Sequence, residues 1–560
     1  MKLRIIITII SAIAANCAML AQQPKWAKKA AKSVFTLKTF AADETMIGST
    51  NGFYIGESGE AVSSFSPFRG ASRAIVIDAQ GKEWDVECIL GANETYDVVK
   101  FRTAARRTSP LPMAAAAAGE GAPAWILPYS GKKTTTALGG KISKAETFQE
   151  NYTYYTIITP NVPENTMSSP LINDNGEAVG LLQESAKATD TVCHAVGVTF
   201  IADLKIGGLS INDPTLKSTA IKKDLPDNID QALLTMYVAA SATDSATYAG
   251  LVEDFIRKFP NASDGYIYRA QLNTGAGNFS AADENMAQAI KVADKKDEAH
   301  YSYSGLIYQK ELYSPDRKYE PWTLDRAADE AEEAYKINPL PIYRQRKAQI
   351  RFAQKRYDEA YDIYGGIIAG GTRTAEIYYE ASRCKELAGD SAAMLALLDS
   401  AVNTFSRPYL KEAAPYLFAR AQALSAMKEY RKAVADYNEY EHLMSSQLTD
   451  RFYYIRALVE MEGHLYQPAI NDMKKAIEKS PKNTLYLAEK ASFEIRLNLL
   501  DDAVATAQMC IDADGSLSDG YLFLGLAQCL KGNKAEGIAN LQKAKELGDS
   551  QAEGLIEKYK

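Results

Sequence analysis

The sequence predicts two parts of different fold class, a β-rich N-terminal domain and an all-α C-terminal array of helical hairpins. Short runs rich in Thr, Val, Ile, Tyr and Gly, separated by turn signals, extend from about Val34 to Leu209. Runs of this length and composition are typical of strands. After about residue 229 the apolar residues follow a helical period to the end of the chain. A chain of 560 residues is too long for one core, which agrees with this division.

Residues 1–21 are typical of a secretion signal. A positively charged start is followed by the apolar run 5–15, which is too short to span a bilayer. Cleavage after Ala21 is one expectation, and lipidation of Cys17 is the alternative. No later run is apolar enough for a transmembrane segment. We therefore expect an exported protein that is periplasmic or envelope-associated, or secreted.

The composition excludes several function classes. The net charge of -7 argues against a nucleic-acid partner, because such a protein needs a strongly basic surface to displace counterions from phosphates. The cysteines are widely spaced with no CxxC pair, so zinc and dithiol-redox sites have no support. The sequence contains no glycine-rich phosphate-binding loop. We expect neither a cofactor nor a metal.

A change of composition divides the chain. The stretch 210–228 is polar, contains two prolines and several lysines, and is predicted to be a linker. It separates a predicted strand domain, 30–209, from a predicted helical array, 229–560. The array is expected to begin with a helical pair, 230–258, and to end in a capping helix.

Small residues recur through the second half of the chain at nearly constant spacing. One series, with steps of 33 to 43 residues, consists of Ala270, Gly305, Ala348, Ala381, Ala421, Ala457, Ala491 and Gly525. A second series lies mostly twelve residues after the first and contains Ala282, Ala360, Ala393, Ala433, Ala469, Ala503 and Gly537. Two antiparallel helices approach closely only where side chains are small, and one hairpin cannot bury its apolar face alone. This spacing therefore predicts stacked helical hairpins.

The pattern resembles the tetratricopeptide repeat, in which a large aromatic residue precedes the small ones and a proline lies near the repeat end. Tyr453 and Pro339 are examples of residues at these two positions. The resemblance implies an all-α solenoid with about eight repeats over 262–547. Two departures from the spacing, at 314–322 and near Pro408, predict longer connections.

The same resemblance implies that the array holds a protein or peptide partner in a groove lined by the first helix of each repeat. The candidate groove residues are Gln345, Gln349, Tyr378, Ser382, Lys385, Gln422 and Tyr454. The alternative for each of them is an ordinary exposed or half-buried helix residue.

Three stretches of the N-terminal domain carry a second resemblance. They are 48–68 (GSTNGFYIGESGEAVSSFSPF), 91–101 (GANETYDVVKF) and 165–181 (NTMSSPLINDNGEAVGL). In order and spacing they resemble the trypsin-like serine proteases, and most of all the bacterial periplasmic stress proteases. The resemblance covers about 34–209 and implies a chymotrypsin-like double β-barrel.

Two of the three residues that the protease chemistry needs are absent from the matching positions. The resemblance places the family's histidine on Ser66, its aspartate on Asp97 and its nucleophilic serine on Met167. The glycines around the nucleophile become Asn165, Ser168 and Ser169. A serine hydroxyl attacks only when an imidazole takes its proton, and methionine has no nucleophilic oxygen. We therefore expect a catalytically degenerate domain, in which Asp97 accepts backbone hydrogen bonds at a turn.

The sequence favours an exported scaffold or adaptor that combines an inactive trypsin-like domain with a partner-binding array. One alternative is an active serine endopeptidase with a rearranged site, in which Ser168 or Ser169 acts with His194 and the repeats recruit substrate. A second alternative is an envelope assembly factor in which only the array functions.

Overall fold

The computed structural model describes residues 23–131, 136–149, 151–160, 166–183 and 191–560. The predicted signal 1–21, with Cys17, and the predicted glycine position Asn165 lie outside these ranges. The chain forms two compact units, Met1–Leu272 and Asn273–Lys560.

Two closed antiparallel barrels make up the β-rich part of the first unit. Within the described residues, the strand order is β1-β2-β3-β6-β5-β4 in the first barrel and β10-β11-β12-β9-β8-β7 in the second. The strands of the first barrel are β1 Val34–Phe40, β2 Met46–Tyr54, β3 Glu60–Ser63, β4 Arg73–Ile77, β5 Glu83–Asn93 and β6 Val98–Thr103. Those of the second are β7 Pro123–Ile126, β8 Leu138–Phe148, β9 Tyr152–Ile158, β10 Pro170–Ile172, β11 Ala178–Leu182 and β12 Val192–Gly197. The predicted chymotrypsin-like double β-barrel is confirmed.

Aromatic rings fill the interior of the first barrel. Phe35 of β1 lies with its ring centroid 4.9 Å from that of Tyr54 and 6.2 Å from that of Phe101. Phe68, just after β3, is 5.5 Å from Phe101. All four side chains are buried. Because inward-facing residues alternate along each strand, closing the sheet brings these rings into one core.

The predicted linker, 210–228, lies against the first barrel. Together with residues 206–209 it forms an ordered segment, 206–228, which we call the strap. The backbone N–H of Gly70 donates to the carbonyl of Ser218 at 2.7 Å, and that of Ile89 donates to the carbonyl of Lys222 at 2.8 Å. The strap contains the short helix α3 (Pro214–Lys217), and two further short helices, α1 (Ala27–Ala30) and α2 (Val198–Asp203), lie outside the strap. The polar composition of the strap does not reveal that its backbone groups are hydrogen-bonded to a barrel.

The first helical pair belongs to the same compact unit as the barrels. Helices α4 (Ile229–Ala242) and α5 (Ser245–Lys258) follow the strap, and Lys222 of the strap forms an ion pair with Asp254 of α5 at 2.6 Å. The sequence division at residue 229 marks the start of the long helices. The compact units divide later, after Leu272.

Sixteen helices of 12 to 18 residues follow in the stretch 263–546, which is described without a gap. In chain order they form eight pairs, and a last helix comes after them. The first members are α6 Ser263–Ala276, α8 Lys296–Tyr313, α10 Pro341–Ala353, α12 Ala375–Leu387, α14 Ala414–Ala426, α16 Asp450–Glu462, α18 Thr484–Arg496 and α20 Ser518–Lys531. The second members are α7 Phe279–Val292, α9 Leu324–Ile337, α11 Tyr357–Ala369, α13 Ser391–Val402, α15 Tyr430–Met444, α17 Tyr466–Lys479, α19 Leu500–Ala513 and α21 Lys534–Glu546, and α22 is Ala552–Tyr559.

The two predicted longer connections are present, at 314–323 and 403–413. The first of them is anchored rather than open. Trp322 is 2% exposed, and its indole N–H donates to the carboxylate of Asp283 in α7 at 2.8 Å. A buried tryptophan with its N–H paired holds the whole connection in place.

The small residues lie where paired helices touch. Ala421 and Ala433, on α14 and α15, are both 0% exposed. In the last pair both positions are glycine. A Cβ at Gly537 would lie 2.8 Å from the Gly525 carbonyl oxygen, and one at Gly525 would lie 2.7 Å from the Gly537 carbonyl oxygen. The backbones of α20 and α21 are therefore too close for any side chain between them.

Gly537→Ala is expected to destabilise the last pair, because the added methyl group overlaps the backbone of α20. The free energy of unfolding of α20 and α21 should fall by about 1–3 kcal/mol, measured by hydrogen exchange of their amides. The control is Gly554→Ala in α22, where an added Cβ meets no atom within 4 Å. Equal stability of the two variants would contradict the close approach.

Candidate functional site

The structure brings the positions of the family's histidine and aspartate together. Ser66 begins a short 3-10 turn after β3, and Asp97 lies in the turn between β5 and β6. The backbone N–H of Ser66 donates to one carboxylate oxygen of Asp97 at 2.6 Å, and the Ser66 hydroxyl donates to the other at 3.1 Å. Asp97 thus accepts a backbone hydrogen bond at a turn, and its carboxylate holds the first residue of the 3-10 turn.

The nucleophile position, Met167, lies in the turn before β10 and is half-buried. Its carbonyl oxygen accepts from the backbone N–H of Asn51 at 3.3 Å and from the side-chain amide of Asn51 at 3.1 Å. The hydroxyl of Thr50 donates to the same oxygen at 3.3 Å. Three donors from β2 therefore fasten this turn of the second barrel to the first barrel.

The two serines after Met167 are completely buried. The Ser168 hydroxyl lies 2.6 Å from the Ser64 hydroxyl and 2.9 Å from the Thr50 hydroxyl. Ser169 accepts a hydrogen bond from the Asn51 amide at 3.4 Å. Ser168 has φ of 62°, in the left-handed region that favours glycine, where the family pattern places one. The hydrogen bonds hold a serine in that conformation.

His194 has other neighbours. It lies in β12, its Nδ1 is 3.4 Å from the Thr156 hydroxyl, and its ring stacks on Tyr154 with centroids 5.8 Å apart. A hydrogen bond from His194 to Ser168 or Ser169 is absent from the described part of the chain. The residue set of the alternative rearranged site is therefore not assembled here.

Sequence reasoning did not find Thr50, Asn51 or Ser64. These residues lie more than 100 positions from Ser168 in the chain, and only the pairing of two barrels brings them to it. Framework residues that match in spacing mark the positions of the turns, but they carry no information about which hydroxyls meet between the turns.

The predicted groove residues all lie on first helices of four successive pairs. They are Gln345 and Gln349 on α10, Tyr378, Ser382 and Lys385 on α12, Gln422 on α14, and Tyr454 on α16. Ser382 does not fit a groove position, because it is 1% exposed and its hydroxyl donates to the Tyr379 carbonyl at 2.6 Å. Gln422 is exposed and the others are half-buried. For these six the groove remains a prediction.

Some of these side chains contact a neighbouring helix. The side-chain amide of Gln345 donates to Glu376 of α12 at 3.1 Å. The Lys385 ammonium lies 3.9 Å from the ring centroid of Tyr361 on α11. These contacts support an ordinary structural role for Gln345 and Lys385. Part of each side chain is still accessible.

A buried ionic pair recurs in two consecutive helix pairs. Arg456 of α16 and Asp472 of α17, each 4% exposed in its side chain, meet through two hydrogen bonds of 2.6 and 3.0 Å. Arg420 of α14 and Asp436 of α15 meet in the same way, with both bonds 2.7 Å long. In both cases the partners are 16 residues apart, and the arginine directly precedes the small residue of its helix. A bidentate pair at this place fixes the alignment of the two helices.

Glu460 lies beside the pair of Arg456 and Asp472, on the same helix as Arg456. Burial raises the pKa of its carboxyl to about 8, and the nearby Asp472 raises it further, against the opposing effect of Arg456. One of its carboxylate oxygens is buried and has no hydrogen-bond partner among the described residues. A buried carboxyl in these surroundings is more stable when it is protonated.

Parts of this chain are similar to known proteins. No family model matches the chain. A stretch of 95 residues is 33% identical to the small glutamine-rich tetratricopeptide repeat-containing protein 2 of Saccharomyces cerevisiae, which is 17% of this chain and 28% of that protein. The chain thus spans 28% of the length of this curated relative. The helical array contains tetratricopeptide-type hairpins.

Solved structures similar to the barrels include two proteases. The active form of the Rv3671c protease from M. tuberculosis is 19% identical, with 32% of this chain and 82% of that chain covered and a TM-score of 0.29. The serine endoprotease from Yersinia pestis is 15% identical, with 32% and 64% covered and a TM-score of 0.28. The assignment of a trypsin-like fold rests on the strand order of the two barrels.

Within the described ranges, no helix combines the length and the apolar character that a membrane crossing requires. Within the same ranges, no group of three or more His, Cys, Asp or Glu residues is arranged to hold a metal ion.

Glu460→Gln is expected to stabilise the array at alkaline pH. Since the folded protein holds the proton of Glu460 more tightly than the unfolded chain, wild-type stability falls as pH rises from about 5 to about 8. The glutamine variant does not titrate, so its melting temperature should exceed that of wild type by several degrees at about pH 8.5 and by little at about pH 5. Circular dichroism at both pH values measures this.

The matched control is Glu462→Gln on the same helix, where the side chain is 54% exposed. Its difference from wild type should stay nearly constant across the same pH range. A pH-dependent gain in the control, or none in Glu460→Gln, would contradict the burial argument.

Proposed function

We propose that this chain is a pseudoprotease scaffold, in which a trypsin-like domain without protease chemistry is joined to an array that binds a protein or peptide. The observation that carries the proposal is the contact of Ser66 with Asp97. The carboxylate that orients the imidazole in the family pairs here with a serine hydroxyl and a backbone N–H. A serine in this place is not a general base near neutral pH, so it cannot take a proton from a nucleophile.

The surroundings of Met167 support the same proposal. The side chain at the nucleophile position has no ionisable proton, and the two serines that follow it are buried in hydrogen bonds to the first barrel. To act as a nucleophile, Ser168 would have to break its bonds to Ser64 and Thr50, and it would still need a base. Loss of triad members in such enzymes costs several orders of magnitude in rate.

The array supplies the binding half of the proposal. Tetratricopeptide-type hairpins present a long surface of first helices, and solenoids of this kind use such surfaces to hold extended partners. Exposed Gln422 and half-buried Gln349 and Tyr378 are on that series of helices. The cleft between the barrels could bind a further extended segment by strand addition without cutting it.

The proposed location is the periplasm or the cell envelope. The apolar run after a positively charged start supports export. Lipidation at Cys17 is the second route by which the chain would be held at an envelope membrane.

The purified protein is expected to be neither labelled by a fluorophosphonate probe nor able to cleave casein. Met167 has no nucleophilic oxygen, and among the described residues no imidazole is hydrogen-bonded to Ser168 or Ser169. Trypsin in parallel reactions is the positive control for both assays. Labelling of Ser168 or Ser169, identified by mass spectrometry, together with casein cleavage that the probe inhibits, would establish the rearranged protease instead.

Partner binding through the array is tested with a photo-crosslinking amino acid at Gln422 on α14. Adducts with a partner are expected there, because Gln422 is an exposed predicted groove residue. The matched control places the same amino acid at Gln508, an exposed residue on the second helix α19, where no adduct is expected. Equal yields at both positions would argue against a groove formed by first helices.

A further inference from the structure

A cavity of about 430 Å³ lies in the first unit between the strap and helices α4 and α5. The strap contributes five aliphatic side chains to its lining, those of Ile206, Ile211, Leu216, Ile221 and Leu225. From α5 come Thr247, Gly250 and Leu251. Small-molecule sites typically have this size and this largely apolar lining.

Three lysines of the strap, Lys217, Lys222 and Lys223, border the cavity. Two carboxylates do so as well, but each is already paired with two cations. Asp254 contacts Lys222 at 2.6 Å and Arg257 at 2.9 Å. The side chain of Asp224 contacts Arg102 and Lys258, both at 3.2 Å. The border of the cavity therefore carries an excess of positive charge.

This pairing omits Lys217 and Lys223. Lys217 is exposed and donates to the side-chain oxygen of Asn212 at 3.1 Å, so Lys223 is the half-buried cation that remains. Its ammonium donates to the backbone carbonyl of Thr219, and within the described ranges no carboxylate lies within ion-pair distance of it. The side chain is half-buried, and burial lowers its pKa. A partly desolvated ammonium is stabilised when an anion approaches it.

We propose that this cavity binds a long-chain fatty acid, with the acyl chain against the aliphatic lining and the carboxylate at Lys223. An apolar chain gains free energy for each methylene group that it removes from water, which the aliphatic wall provides. A single negative charge at one end complements Lys223. A neutral lipid would gain only the first of these contributions.

A substitution at Gly250 can block the acyl chain of the fatty acid without disturbing the fold. Gly250 lines the cavity from the middle of α5, and a Cβ added there meets no atom within 4 Å. Leucine at this position therefore has room to extend into the cavity, and it is a better helix former than glycine.

The test measures binding of the fluorescent fatty acid cis-parinaric acid to the full chain, and its displacement by palmitate or by methyl palmitate. Wild type is expected to bind parinarate, with palmitate displacing it at least about tenfold better than the ester, as loss of a charged hydrogen bond predicts. Lys223→Met, which keeps the apolar stem, should weaken binding at least about tenfold. Gly250→Leu should abolish it.

The control variant is Lys291→Met, which removes an exposed lysine of α7 and should bind as wild type does. Circular dichroism confirms that each variant is folded. Three outcomes would overturn the proposal. They are no parinarate binding by wild type, equal displacement by acid and ester, and unchanged binding in both Lys223→Met and Gly250→Leu.

Discussion

A small cluster of buried hydroxyls joins the two barrels, and the position of the turn at Met167 in the N-terminal domain depends on it. The Ser168 hydroxyl lies between those of Ser64 and Thr50, and all three residues are buried. Leaving any one of these hydroxyls without a partner would cost about 1–3 kcal/mol. The turn that carries the nucleophile in the family is therefore held here by hydrogen bonds of buried side chains. Its carbonyl at Met167 is directed to β2.

The array obeys a different constraint, which is the distance between helix backbones. Small residues set that distance along the whole series, and the glycines of the last pair show its limit. Where two helix backbones are close, a long polar side chain directly before the small residue can reach the partner helix. This explains why Arg420 and Arg456, each directly before a small residue, reach an aspartate on the partner helix. Apolar spacing determines the fold, and the ionic pairs then fix the alignment of each pair of helices.

The sequence predicts this fold well because both parts have strong local patterns. The hairpins follow from periodic small residues, and the barrels follow from three motifs in the expected order. The strap is less predictable, since a polar stretch with prolines has the same composition whether it is free or bonded to a barrel. The burial of Ser382 depends on how neighbouring helices pack, which residue spacing does not specify.

The candidate site is predictable only in its positions. The resemblance assigns Ser66 and Asp97 to the histidine and aspartate positions of the family, and the structure has them in contact. The hydroxyl cluster involves residues far apart in the chain, so no local pattern reveals it. The Arg–Asp pairs are an intermediate case. Their constant spacing of 16 residues is visible in the sequence, but many charged residues share that spacing without contact.

Asp97 illustrates how one triad residue can have a use that does not require the others. In a protease its carboxylate orients an imidazole and stabilises the positive charge that forms there. Here the same carboxylate accepts the first backbone N–H of the 3-10 turn at Ser66, so it is not left without a donor. A hydrogen bond to a charged acceptor contributes about 1.5–3 kcal/mol. This contribution to the fold is present whether or not residue 66 is a histidine, because the donor is the backbone. An aspartate at this position is therefore weak support for catalysis, and the proposed loss of protease chemistry rests on the identities of residues 66 and 167.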